Sequence, residues 1–138
     1  MTPSPVTAHP GDLLVDAASR MLHAGIRHLP VVDGAGAVIG MLSDRDVRSA
    51  IGNPMQLIEG EPLSARIEDL TVKEIMTPEP RVVAPDSTVA TLLALLVDER
   101  LGAVPVVDAD EGLVGIVSYL DVLRNELGPR TAPRRARL

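Results

Sequence analysis

The chain has 138 residues, 46% of them hydrophobic but only 1% aromatic, with no cysteine and a formal net charge of −6. That composition supports one aliphatic core, offers almost no ring surface on which a ligand could stack, and excludes disulfides, thiolate metal sites and cysteine nucleophiles together. No run approaches the roughly 18 apolar residues of a membrane span, residues 1–10 lack the basic-then-apolar order of a secretory signal, and a soluble cytoplasmic protein is expected.

In chain order, Val6-Thr7-Ala8 lies between prolines and is predicted to be extended. Leu13, Leu14, Ala17, Ala18, Met21 and Leu22 form the stripe of an amphipathic helix that Gly25 ends. His28 to Val32 is a short β-branched strand, Asp33-Gly34-Ala35-Gly36 a hairpin turn, and Val38 to Leu42 the return strand. Ser43 or Asp44 can cap a helix running to Ile51, stopped by Gly52-Asn53-Pro54. Residues 54–70 are a linker in which Ser64 can cap a short helix over residues 65–70, and Thr71 with Glu74 has capping-box spacing. Arg81 to Ala84 is extended, Asp86-Ser87 caps a helix bearing Val89, Leu92, Leu93, Leu96 and Val97, and Val104–Val107 with Leu113–Val117 makes a second hairpin. Tyr119 to Leu127 is a final helix, stopped by Gly128-Pro129. Four of the 13 basic residues (Arg130, Arg134, Arg135 and Arg137) then fall in a stretch, 129–138, expected to be a disordered basic tail. Without that tail the body is acidic, which argues against nucleic acid as a partner.

The chain says the same thing twice. Leu29-Pro30-Val31-Val32-Asp33 returns 75 positions later as Val104-Pro105-Val106-Val107-Asp108, and Gly40-Met41-Leu42-Ser43-Asp44-Arg45-Asp46 as Gly115-Ile116-Val117-Ser118-Tyr119-Leu120-Asp121. The same offset pairs Met1-Thr2-Pro3 with Met76-Thr77-Pro78, without a gap. Two copies of one unit are implied: repeat 1 over 1–53 and repeat 2 over 71–128, each β-α-β-β-α, in a mixed α/β (α+β) fold. A unit of about 50 residues buries too little surface to stand comfortably alone. The copies are therefore expected to pack about a pseudo-two-fold axis, leaving two equivalent clefts between them.

In each copy a strand ends in Ser, and an Asp follows three residues later on the first turn of a helix. Ser43 with Asp46, and Ser118 with Asp121, can serve as plain helix caps. The same carboxylates can accept both hydroxyls of a ribose diol, while free N–H groups at the helix start favour an anion. Arg45 adds a charged planar fork suited to phosphate.

Met-Thr-Pro, the amphipathic helix, (His/Ala)-(Leu/Val)-Pro-Val-Val-Asp and Gly-x-x-Ser-x-x-Asp, in order and twice, resemble CBS domains, and two in tandem resemble a CBS pair or Bateman module. The resemblance implies binding of adenosine compounds (AMP, ADP, ATP or S-adenosylmethionine), with Ser and Asp on the ribose and the residue before Asp near phosphate. It implies one cleft joining Ser43, Arg45 and Asp46 to Val83, Ala103 and Val104, and another joining Ser118 and Asp121 to Thr7, Arg27, His28 and Leu29. Cationic help would come from Arg45 in the first and from Arg27 with His28 in the second, whereas Leu120 replaces the arginine on the other side. It implies a homodimer, a regulated partner protein, and no catalysis. Family members carry a lead-in helix before Met-Thr, as residues 71–75 supply before Met76; a chain starting at Met1 is expected to lack it in repeat 1. The other reading is a ligand-free dimerisation or protein-interaction module with vestigial clefts.

Other chemistries fit poorly. His9, His23 and His28 share no ligand spacing for a metal. Asp108-Ala109-Asp110-Glu111-Gly112 opens like a calcium loop but has Tyr119 where the bidentate Glu belongs. Ser43 has no Gly-x-Ser-x-Gly elbow, and repeat 2 has Ala103 in place of His28.

Overall fold

The computed structural model describes residues 2–51 and 67–127. In chain order they form β1 (Thr2–Pro3), α1 (Leu14–Ala24), β2 (His28–Val32), β3 (Val38–Ser43), α2 (Asp44–Ile51), α3 (Val72–Ile75), β4 (Thr77–Pro78), α4 (Val89–Leu93), β5 (Ala103–Val107), β6 (Leu113–Ser118) and α5 (Tyr119–Leu127). A π-helical turn, Ala94–Asp98, continues α4. The helix stops at Gly52 and Gly128, the Ser64 cap and the basic tail lie outside the described residues.

These elements divide into two units, Val6–Glu79 and Met1–Pro5 with Pro80–Leu138. In the first, the sheet order is β2-β3-β4; in the second it is β1-β6-β5. Each hairpin is therefore completed by a Thr-Pro strand from the other copy of the repeat. Thr77 and Pro78 pair with Met41 and Gly40, and Thr2 and Pro3 pair with Ile116 and Gly115.

Both hairpins share one register, with a bulge after Val31 and its counterpart Val106. Pro30 and Pro105 sit mid-strand without penalty because each faces the outer sheet edge, where the missing N–H leaves no ladder bond unmade. Their carbonyls accept from the N–H groups of Ala8 and Val83, and the carbonyls of Ala8 and Val83 accept from Val32 and Val107. Asp33 and Asp108 close the turns alike, each with one carboxylate oxygen accepting two backbone N–H groups. Positive φ angles also recur at the 75-residue offset: Ser4 and Glu79, Gly25 and Arg100, Gly36 and Glu111.

The first unit packs Ala8, Leu14, Ala17, Met21, Leu29, Val31, Leu42, Val47 and Val72 into one cluster. The second packs Val83, Leu92, Leu96, Val104, Val106, Val117 and Val122. Leu22 and Val97, expected on the apolar stripes, are instead 80% and 54% exposed.

Two caps differ from expectation. Thr71 makes no side-chain cap, because the N–H groups it could take, those of Lys73 and Glu74, already donate to the carbonyls of Pro10 and of Thr71 itself. Thr88, rather than Asp86 or Ser87, caps α4; the Ser87 hydroxyl is occupied by the N–H of Ala84.

Candidate functional site

Each unit builds one site where a hairpin strand runs into a helix. In the first, β3 ends at Ser43 and α2 begins at Asp44. The Asp46 N–H donates to Ser43 Oγ at 3.0 Å, and the Ser43 N–H donates to Asp46 Oδ2 at 2.9 Å. Ser118 and Asp121 do the same at the start of α5, at 3.1 and 2.9 Å. This is a reciprocal capping box with Asp at the third helical position, so the capping reading of these residues holds in both repeats.

Capping leaves chemistry to spare. Each Asp spends Oδ2 on the serine N–H, and its Oδ1 has no hydrogen-bond partner among the described residues. That oxygen, fixed in direction by its twin, can accept two hydroxyl donors. Each Ser Oγ accepts one N–H and keeps its own proton to donate. A rigid acceptor beside a hydroxyl suits a vicinal diol. All four side chains are half-buried, so they are both oriented and reachable.

The strand opposite supplies the rest. His28 is the cross-strand partner of Ser43, and Ala103 that of Ser118. The N–H of Asp44 donates to the Arg27 carbonyl at 2.8 Å, as that of Tyr119 does to Gly102 at 3.0 Å. Arg27, His28, Ser43, Arg45 and Asp46 therefore form a single set within one unit. The resemblance groups Arg27 and His28 with Ser118 and Asp121; within the first unit the register sets His28 opposite Ser43, because a short hairpin turn makes the residue at the head of β2 face the residue at the foot of β3.

The surroundings of His28 disfavour its charged form. Burial is the main cause holding its pKa below 6.5; Arg27 acts in the same direction, while Asp46 and Asp44 oppose it. Positive charge in the set comes from Arg27 and Arg45. Both are exposed, and neither pairs with a carboxylate among the described residues; Asp44 is engaged by Arg48 at 3.1 Å.

The remaining expected residues divide by role. Thr7 is half-buried, and its carbonyl accepts from Arg20 Nη1 at 3.0 Å; the same nitrogen pairs with Asp12 at 3.0 Å. Arg20 thus braces the extended segment, a part the sequence did not signal because Asp12 lies outside the helix that carries Arg20. The His9 N–H bond to the Asp12 carboxylate is the main cause holding that group's pKa below its usual value, and Arg20 adds to it. Leu29, Val83 and Val104 place their side chains in the core clusters, and both backbone polar groups of Val83 are spent on its neighbours. Ala103 is buried at the head of β5. Among the described residues, no three His, Asp or Glu side chains gather as for a metal ion, and no helix is long and apolar enough to cross a membrane.

The CBS domain family model matches residues 1–53 and 72–128. A CBS domain-containing protein of Dictyostelium discoideum is 32% identical over 113 residues, covering 81% of this chain and 78% of that protein. The CBS-pair protein CBSX2 of Arabidopsis thaliana, solved in complex with AMP, is similar with a TM-score of 0.76 and 28% identity, covering 92% of each chain. The CBS domain pair of protein MJ0100, solved with 5′-methylthioadenosine and S-adenosyl-L-methionine, gives 0.76 and 28% over 93% of this chain and 92% of that one. The inosine-5′-monophosphate dehydrogenase of Mycobacterium leprae is 29% identical over 130 residues, but the chain spans only 22% of that enzyme's length.

Proposed function

This chain belongs to the CBS domain family, and from that premise we propose that it is a regulatory module binding adenosine-type nucleotides (AMP, ADP, ATP or S-adenosylmethionine) and catalysing nothing. The observation that carries the reading is the twice-built Ser–Asp box, with a hydroxyl and a free carboxylate oxygen side by side. In this reading Ser43 with Asp46, and Ser118 with Asp121, hold ribose hydroxyls. Arg27 and Arg45 face phosphate, and Thr7, Leu29, Val83, Ala103 and Val104 frame the adenosine through backbone and aliphatic surface. The AMP complex of CBSX2 and the S-adenosylmethionine complex of MJ0100 support it. Similarity to the dehydrogenase covers too little of that enzyme to bring its activity here.

Occupancy would be read by a partner protein through a homodimer, in the cytoplasm. The lack of cysteine fits that compartment. The exposed apolar pair Leu22 and Val97, at equivalent positions of the two repeats, fits a surface that meets another chain. The same pair favours the second reading, a ligand-free interaction module. A thermal-shift panel of adenosine compounds separates the two. A ligand at a hundredfold its dissociation constant adds about 2.7 kcal/mol, a rise of several degrees for a chain this size. No rise with any of them refutes nucleotide binding.

A further inference from the structure

We propose that the two Ser–Asp sets take different adenosine compounds: the repeat 1 set a phosphorylated one, the repeat 2 set one without phosphate, such as a nucleoside thioether or sulfonium. The proposal rests on the nucleotide reading above and assigns a ligand class to each of its sites.

The backbone and the box are the same in both units; the charge is not. At the 75-residue offset Arg27 becomes Gly102, His28 becomes Ala103, Asp44 becomes Tyr119, Arg45 becomes Leu120 and Arg48 becomes Leu123. Around Asp46 stand two exposed arginines that no described carboxylate neutralises, because Asp44 is held by Arg48. One carboxylate against two guanidiniums leaves the set positive. Around Asp121 the equivalent positions of its own unit carry no charge, so that unit gives the carboxylate no cation there and its set is negative. The described cations of that unit, Arg81, Arg100 and Arg124, lie at other positions of the motif, and Arg81 pairs with Glu99 at 3.1 Å.

A phosphate monoester carries about −1.5 to −2 charges at neutral pH. Beside Arg27 and Arg45 it gains charge-assisted, fork-shaped hydrogen bonds. Beside Asp121, with Leu120 and Ala103 at the cationic positions, it meets like charge and apolar surface. A phosphate-free adenosine loses nothing there, and a sulfonium gains an attractive carboxylate. The helix start contributes equally to both sets and does not discriminate between them.

The test is calorimetric titration of the full chain with AMP and with adenosine. Wild type is expected to bind AMP at one site at least about tenfold more tightly than adenosine, the size of effect one charged hydrogen bond produces. The double variant Arg27→Ala/Arg45→Leu is expected to lose that advantage while its adenosine affinity stays unchanged. Leu120→Arg is expected to create an AMP advantage at the second site. Positions 27, 45 and 120 are exposed, and the changes at 45 and 120 copy the other repeat's residue, so the fold is retained. An AMP advantage that survives the double variant overturns the proposal, as does a Leu120→Arg variant that gains none. Equal affinities of AMP and adenosine at two wild-type sites overturn the asymmetry alone; no binding of either overturns the proposal, and silence across the whole adenosine panel overturns the nucleotide reading with it.

Discussion

Replacing Gly40 by Ala puts a methyl group where a sulfur already sits. An ideal Cβ on Gly40 lies 2.3 Å from Met76 Sδ and 3.0 Å from its Cγ. Ordinary contact begins near 3.4 Å, so the thioether has to retreat by about 1 Å. Met76 leads into β4, whose Pro78 pairs with Gly40 itself, and its side chain is packed on the first unit's core. Overpacking of this kind costs about 1–3 kcal/mol, offset by the ~0.4–1 kcal/mol that Gly→Ala gains by restricting the unfolded chain. A net loss of about 1–2 kcal/mol lowers Tm by about 3–7 °C for a chain of this length. Met76→Ala alone, at a half-buried site, costs about 1–3 kcal/mol. In the Met76→Ala background the obstacle is gone, and Gly40→Ala should be neutral or slightly stabilising. Urea midpoints for the four proteins give the coupling directly. Equal losses from Gly40→Ala in both backgrounds would refute the account.

Ser43→Ala and Ser118→Ala each remove a helix cap and are expected to cost about 1 kcal/mol, measurable as matched falls in thermal midpoint. Arg100→Gly and Glu111→Gly should each stabilise by about 1 kcal/mol, since both residues hold a left-handed φ that their repeat 1 counterparts meet with glycine; a loss of stability on either substitution would contradict the backbone assignment. Acidification should weaken the fold through His28. Its folded pKa lies below 6.5, so below that value the unfolded chain takes up the proton first, and stability present at neutral pH is lost as pH falls through the window between the two values. Urea midpoints at about pH 7 and pH 5.5 should differ less in His28→Gln than in wild type; an unchanged difference would place the titration elsewhere.

The fixed 75-residue offset made both hairpins, their turns and the Ser–Asp boxes legible, because each rests on a local pattern: alternating β-branched residues, an Asx turn, a cap three residues before a carboxylate. Thr2–Pro3 and Thr77–Pro78 carry no such pattern. Two residues cannot show a period, and their pairing depends on an edge supplied far away in sequence. The pairing of His28 with Ser43 follows from hairpin register, which the turn length fixes. Where several polar groups competed for the same N–H, sequence spacing misjudged the winner. The N–H groups Thr71 could cap were taken by the carbonyls of Pro10 and Thr71, and Ser87 was already committed to Ala84. Leu22 fits the helical stripe by spacing alone, but in the fold it faces outward.

The Thr-Pro exchange sets an order of events during synthesis. The unit Val6–Glu79 has every strand in hand once Thr77–Pro78 leaves the ribosome. Thr2–Pro3 is made long before its partner: Ile116, opposite Thr2, comes 114 positions later. At ~5–20 residues per second that is a wait of about 6–23 s, during which Thr2–Pro3 stays unpaired while the β2-β3-β4 sheet forms. The β5-β6 hairpin recruits a strand made before every element of the other unit.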